Sequence, residues 1–327
     1  MGLGSDLPKI VVLNSSCLDI VDAHREWLSE LPAEIVADPA HRELPLDGVL
    51  EAIQGADAVI GPVSVAVTDA ILKNAPGLKV FSLASSGFDT VDLNAATRLK
   101  IVVTNAPVQE MSEAVADMAF ALMLGVARTI AHHHAAMIEG RKTRGMGTTL
   151  WKKTLGIVGL GNIGRAVARR AAGFQMRLLA TDPFPDKQFV EQYDVQLLTL
   201  DELLAESDFV SLHVRICPET TGMIGKRELG LMKTTAVIIN TARHDLIQEG
   251  AIADAIEQGK IRGAGLDDPP REGDGNLFNS PHVIFTPHLG NRASETCDAV
   301  FRQAVVNALD GLAGRKSSYL LNPEALQ

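Results

Sequence analysis

Short apolar runs alternate with amphipathic stretches along most of the chain. Ile10 to Leu13, Ala56 to Gly61 and Leu78 to Leu83 read as buried strands, with helical spacing over Leu18 to Leu31 and Thr68 to Asn74. That β-α-β rhythm predicts a parallel sheet. The longest helical pattern runs from Ser112 to Ala131, with Ser112 placed to cap it. Glu139 to Thr149, rich in Gly, Arg and Thr and without periodicity, reads as an extended loop. From Thr154 the rhythm restarts, with strands expected at Leu155 to Val158, Leu178 to Thr181, Phe209 to Leu212, Ala236 to Ile239, Gly263 to Leu266 and Val283 to Phe285. A final helix is expected over roughly Ser294 to Leu312, ending in a polar tail. The pattern amounts to two successive α/β units without a fixed-period repeat.

Length agrees with two units, since 327 residues at ~100 to 200 per domain makes two domains. Charge narrows the partners. Forty Asp and Glu against 30 Lys and Arg leave a net charge of -10, the wrong sign for nucleic acid or an anionic membrane surface. With 10 Phe, 2 Trp and 2 Tyr there is little to build a base-stacking platform. Cys17, Cys217 and Cys297 are scattered and odd in number, which suits a reducing cytoplasm. No basic region followed by an apolar run opens the chain, and Asp6 stands where a myristoylation signal wants Ser or Thr. The apolar stretch Met118 to Ala127 is about half of the ~20 residues that cross a bilayer, so it reads as a buried helix. His132, His133 and His134 lie side by side on a helical pattern and point in different directions, so no metal site is expected.

The segment Lys153 to Ala168 sets an apolar strand, then G-x-G-x-x-G, then a helical pattern. Gly159 permits a tight turn, Gly161 lets the backbone approach a pyrophosphate, and Gly164 allows helix and strand to pack closely. The helix N-terminus then faces the anion with unpaired N–H groups. Eighteen residues after Gly164 a second apolar strand ends in Asp182, which can accept from a ribose diol and repel a 2′-phosphate. Pro183 and Phe184 follow it rather than Arg or Lys, so NAD is expected over NADP.

Three polar residues follow expected strands of the second half, where open α/β sheets place their ligands: Arg243, Glu272 and His288. Singly, each has a plain explanation as a loop charge or a helix-capping histidine. Together they suit one reaction. A guanidinium binds a carboxylate in bidentate fashion. An imidazolium gives a proton to a carbonyl oxygen as hydride arrives, and a carboxylate keeps that imidazolium charged. With NAD as hydride carrier, a 2-keto acid and a 2-hydroxy acid interconvert.

Several segments resemble the D-isomer-specific 2-hydroxyacid dehydrogenases: Ser85-Ser-Gly-Phe-Asp-Thr-Val-Asp92, Thr104-Asn-Ala-Pro107, Ala114-Val-Ala-Asp117, the G-L-G-N-I-G fingerprint, Ser207-Asp-Phe-Val-Ser-Leu-His213, Pro218-Glu-Thr220, Met232-Lys233, Asn240-Thr-Ala-Arg243, Gly263-Ala-Gly-Leu-Asp267 and Thr286-Pro-His288. The resemblance spans about residues 55 to 297 in the family's order. It implies a catalytic set of Arg243, Glu272 and His288, and a substrate carboxylate held by the N–H groups of Ser86 and Gly87. It implies NAD contacts at Gly159, Leu160, Gly161, Asn162, Ile163, Gly164, Asp182, His213, Val214, Arg215, Thr220, Thr241, Ala242, Arg243, Asp267, His288 and Gly290.

The architecture implied is discontinuous. A flavodoxin-like substrate domain of residues 1–104 and 296–327 would receive, as an insertion, a Rossmann-type NAD-binding domain of residues 105–295. Homodimers through the cofactor domain are common in such proteins, with the helix near Ser112 to Ala131 and its following loop in the contact. Side-chain specificity is expected from loops such as Val63 to Val67 and from Phe88.

Four positions depart from the family's pattern. His244 replaces the glycine of N-T-A-R-G, which either strains the turn or adds a donor. The usual D-V-F-x-x-E-P appears as Asp267-Asp-Pro-Pro-Arg-Glu272-Gly273, so Pro269 and Pro270 reshape the loop carrying Glu272. Arg215 stands where a proline is common, and Asp117 replaces a common Glu. Two other functions suit the same scaffold. One is an NAD(H)-sensing protein like the C-terminal-binding corepressors. The other is an atypical substrate such as phosphite.

Overall fold

The computed structural model describes residues 7–42, 44–62, 65–275 and 277–326. Val63 and Ser64 of the expected specificity loop fall outside them. The chain separates into two compact units, Met1–Met111 with Arg292–Gln327, and Ser112–Asn291. Relative to the expected boundaries, residues 105–111 and 292–295 therefore stand in the first unit.

The first unit is built on five parallel strands: β1 (Lys9–Val12), β2 (Glu34–Val36), β3 (Ala58–Gly61), β4 (Val80–Leu83) and β5 (Val102–Thr104), in the order β2-β1-β3-β4-β5. β3 and β4 are buried at every position, the mark of strands covered on both faces. One cover is the helix Ser294–Leu312, which returns after the whole second unit. Ser82 Oγ on β4 donates to the Ala304 carbonyl of that helix at 2.8 Å. The segment beyond it docks on the β5 edge, where Leu321 N–H donates to Val103 and Asn322 Oδ1 accepts from Val103 N–H at 2.7 Å. The polar tail therefore blunts a sheet edge.

The single helix expected over Leu18 to Leu31 is three short pieces, Ser15–Ile20, a 3₁₀ turn Val21–His24 and Arg25–Ser29. His24, at the end of that turn, is buried against Phe301 with its Nε2 2.8 Å from Asp298. β2 and β5, three residues each, carried too little pattern to read.

The second unit holds seven parallel strands: β6 (Thr154–Val158), β7 (Arg177–Thr181), β8 (Gln196–Leu197), β9 (Phe209–Leu212), β10 (Val237–Asn240), β11 (Gly263–Leu266) and β12 (Val283–Phe285). Their order is β12-β11-β10-β9-β6-β7-β8, so the winding reverses between β6 and β9. That is the doubly wound arrangement, whose ligands lie beyond the carboxyl ends at the switch point.

The long helix starts at Gln109, so Ser112 lies inside it and does not cap it. It stops at Ala127, because Thr129 takes a left-handed φ of 49° that breaks the ladder, and Ile130–Ile138 resumes at a 65° bend. Among the described residues no single helix is long and apolar enough to cross a membrane. Residues 141–149 form no regular structure.

Candidate active site

The glycine turn between β6 and the helix Asn162–Ala171 is fixed by sterics. Gly159 has φ +94°, and a Cβ there would lie 2.8 Å from the His213 carbonyl and from Val214 Cγ1. A Cβ on Gly164 would come within 2.1 Å of the Gly159 carbonyl oxygen. Gly161 is different. It sits at the helix N-cap with no side-chain cap and open space where a Cβ would be, so the first-turn N–H groups face outward. Leu160 is buried and Ile163 half-buried, while Asn162 Oδ1 accepts from Arg165 at 2.9 Å.

Asp182, at the end of β7, ties into this turn. Its carboxylate accepts the Leu160 N–H at 2.7 Å and the Phe184 N–H at 2.8 Å. Each oxygen keeps a lone pair for a further donor.

Across the switch point, His213 follows β9. Its Nε2 lies 2.8 Å from Ser211 Oγ, and burial pushes its pKa down to about 3, so the ring is neutral at pH 7. His213 Nδ1 and, after β10, Thr241 Oγ1 are buried without a hydrogen-bond partner among the described residues. Two orphaned polar atoms beside a glycine turn with outward N–H groups fit a bound dinucleotide. Arg215 is exposed, and its carbonyl accepts Thr220 Oγ1 at 2.7 Å, which closes a turn over Cys217.

The chemistry-bearing residues gather at the ends of β10, β11 and β12. Asn240 organises the first: its Oδ1 accepts Ala242 N–H at 3.0 Å and its Nδ2 donates to the Arg243 carbonyl at 2.8 Å. Arg243 Nη1 in turn donates to the Ala242 carbonyl. His244 begins a 3₁₀ turn, His244–Leu246, without a positive φ, so the strain expected of a replaced glycine is absent; its Nε2 is buried and has no hydrogen-bond partner among the described residues.

Asp267 is buried at the end of β11 and accepts three hydrogen bonds, from Thr286 Oγ1 at 2.5 Å, Leu289 N–H at 2.8 Å and Gly290 N–H at 2.6 Å. Those bonds fix the loop after β12. His288, in that loop, has φ +55°, a conformation rare for a side chain other than glycine.

The carboxylate on His288 is Asp268. Its Oδ1 lies 2.9 Å from His288 Nδ1. That hydrogen bond raises the imidazole pKa; burial opposes it, the Asp268 charge reinforces it, Arg243 opposes it and Asp267 reinforces it. Glu272, expected in this place, is exposed at the start of a 3₁₀ turn, Glu272–Asp274, and has no hydrogen bond or ion pair among the described residues. The loop is clamped another way: Asp274 accepts the Arg271 N–H at 2.7 Å, Glu249 accepts the Gly273 N–H at 2.8 Å, and Arg271 reaches the Ile247 carbonyl at 3.0 Å. The missed signal was the second carboxylate of Asp267-Asp268, where the resembling pattern has an apolar residue.

Ser86 and Gly87 lie in the first unit, in the loop after β4. The Ser86 carbonyl accepts Asn105 Nδ2 and the Gly87 carbonyl accepts Ser85 Oγ, both at 2.8 Å. Among the described residues nothing takes the Ser86 or Gly87 N–H. His133 Nδ1 contacts Thr143 Oγ1, and no group of three candidate ligands for a metal occurs among the described residues.

Strand order, glycine turn and carboxyl-end residues together define a doubly wound dinucleotide-binding unit. Residues 120–290 match the model of the D-isomer specific 2-hydroxyacid dehydrogenase NAD-binding domain. The chain is 34% identical over 331 residues to a glyoxylate reductase of Thermococcus gammatolerans, covering 98% of this chain and 97% of that protein. It is 39% identical over 272 residues to a D-3-phosphoglycerate dehydrogenase of Mycobacterium tuberculosis, covering 82% of this chain, and it spans only about half (51%) of that relative. The crystal structure of a glyoxylate reductase from Paecilomyes thermophila superposes with a TM-score of 0.81 at 29% identity, over 97% of this chain and 98% of that one. The chain belongs to the D-isomer specific 2-hydroxyacid dehydrogenase family.

Proposed function

We propose that the chain interconverts a 2-keto acid and a D-2-hydroxy acid with NAD(H). The observation that carries this reading is the juxtaposition on β10 to β12 of Arg243, Asp268 and His288, with His288 held towards its charged form. Bound NADH supplies the hydride that reduces the carbonyl carbon. The protein's own work is the rest. Gly161 and the helix behind it receive the pyrophosphate, Asp182 the adenosine ribose, and Arg243 the substrate carboxylate. His288 delivers the proton to the carbonyl oxygen. In the oxidation direction the same imidazole, neutral, takes it back.

An NADH-oxidation assay across glyoxylate, hydroxypyruvate, pyruvate and bulkier 2-keto acids tests the reading. At least one should be reduced, and His288→Ala should lower its kcat by at least ~100-fold. Tight NADH binding with no turnover across the panel would favour the nucleotide-sensing alternative.

A homodimer, in the cytoplasm, is part of the same proposal. Ile130, Met137, Ile138, Met146 and Trp151 are all more than half exposed on the bent helix and the loop after it, a grouping that a second copy would cover. Sedimentation should give twice the 34.9 kDa chain mass; a monomer at micromolar concentration ends that assignment.

A further inference from the structure

We propose that Asp268 is the positioning carboxylate of His288 and that Glu272 has no part in holding that imidazole. The geometry carries it. Asp268 lies two residues beyond the end of β11, with its side chain 16% exposed and Oδ1 2.9 Å from His288 Nδ1. Its neighbour Asp267 is committed to the β12 loop through three hydrogen bonds, so both partners of the pair are anchored by the same buried residue. Pro269 and Pro270 then restrict the backbone that leads away, and the Arg271 to Asp274 turn closes on itself and on Glu249. Glu272 is left facing solvent.

The inference rests on the proposed reduction for its kinetic consequence. With Nδ1–H donating to Asp268, Nε2 is the nitrogen that gives its proton to the carbonyl oxygen. Hydride from NADH brings two electrons to the carbonyl carbon, the C=O π bond becomes the new O–H bond with the Nε2 proton, and solvent reprotonates the ring. NADH is oxidised and the keto acid reduced.

The charges around His288 are Asp268 and Asp267, which favour the imidazolium, and Arg243, which disfavours it. Because reduction needs the protonated ring, activity should fall as pH rises through the His288 pKa. Removing the Asp268 charge moves that fall to lower pH.

The decisive comparison is between Asp268→Asn, Asp268→Glu and Glu272→Gln, each read by its kcat/KM–pH profile for keto-acid reduction and by NMR titration of the His288 ring. Asp268→Asn should lower the His288 pKa and the alkaline limb together by about 1 to 3 units and reduce kcat at least ~10-fold. Asp268→Glu should recover part of both, and Glu272→Gln should move neither pKa nor kcat beyond about twofold. A titration that shifts in Glu272→Gln, alone or alongside Asp268→Asn, overturns the proposal. So does an unshifted titration in Asp268→Asn. Should no keto acid be turned over, the activity reading fails, while the NMR titration still decides the pairing. If Asp268→Asn does not fold, the Asp268→Glu and Glu272→Gln titrations decide it.

Discussion

The turn after β6 and the loop after β12 stand at carboxyl ends of one sheet and are held in opposite ways. In the first, shape comes from what is missing: side chains at Gly159 and Gly164 would strike backbone, at 2.8 and 2.1 Å. In the second, shape comes from what is present, the Asp267 carboxylate taking three donors from Thr286, Leu289 and Gly290. A backbone-on-backbone fit has almost no freedom to adjust. A fit mediated by a carboxylate can rotate, and the residues it positions can exchange partners. The nucleotide end therefore tolerates little sequence change, while at the chemical end the acid beside His288 is Asp268 and Glu272 is exposed.

Alanine at paired glycines probes this contrast most strongly. Gly164→Ala would gain helix propensity, yet its Cβ must displace the Gly159 carbonyl, so a net loss of about 2 kcal/mol or more in urea unfolding is expected. NADH affinity should fall with it, by at least ~10-fold. Gly290→Ala meets the Asp267 Oδ2 oxygen at 2.8 Å and Val115 side-chain carbons at 3.5 and 3.8 Å, but no backbone, so its cost should be about 1 kcal/mol. Equal losses at both positions would erase the distinction between the two ends. The smallest expected effect sharpens it. Asp182→Ala removes a charge near the expected ribose and leaves the Leu160 and Phe184 N–H groups unpaired. The kcat/KM ratio of NADH to NADPH should then drop about 10-fold, a change of ~1.4 kcal/mol; an unchanged ratio would place the ribose contact elsewhere.

The same contrast explains what could be read from sequence. The β6 turn is legible because glycines at that spacing have a single steric reason, and the buried strands β3, β9 and β11 are legible because an unbroken apolar run has few other uses. β8, two exposed residues at a sheet edge, carries no such signature. The break at Thr129 was hidden because apolar spacing continues across Arg128 and Thr129 while the backbone does not. Spacing from Asp267 pointed to Glu272 because position along the chain was the available ruler. Which carboxylate turns inward depended on the Arg271, Asp274 and Glu249 contacts, which no local pattern encodes.

The return of the helix Ser294–Leu312 to β4 bears on how the protein is made. Residues 112–291 leave the ribosome before the helix that covers the first sheet exists. At ~5 to 20 residues per second, β1 to β5 wait roughly 10 to 40 s for that cover. Throughout that interval the nascent sheet lacks the cover that Ala304 brings to β4.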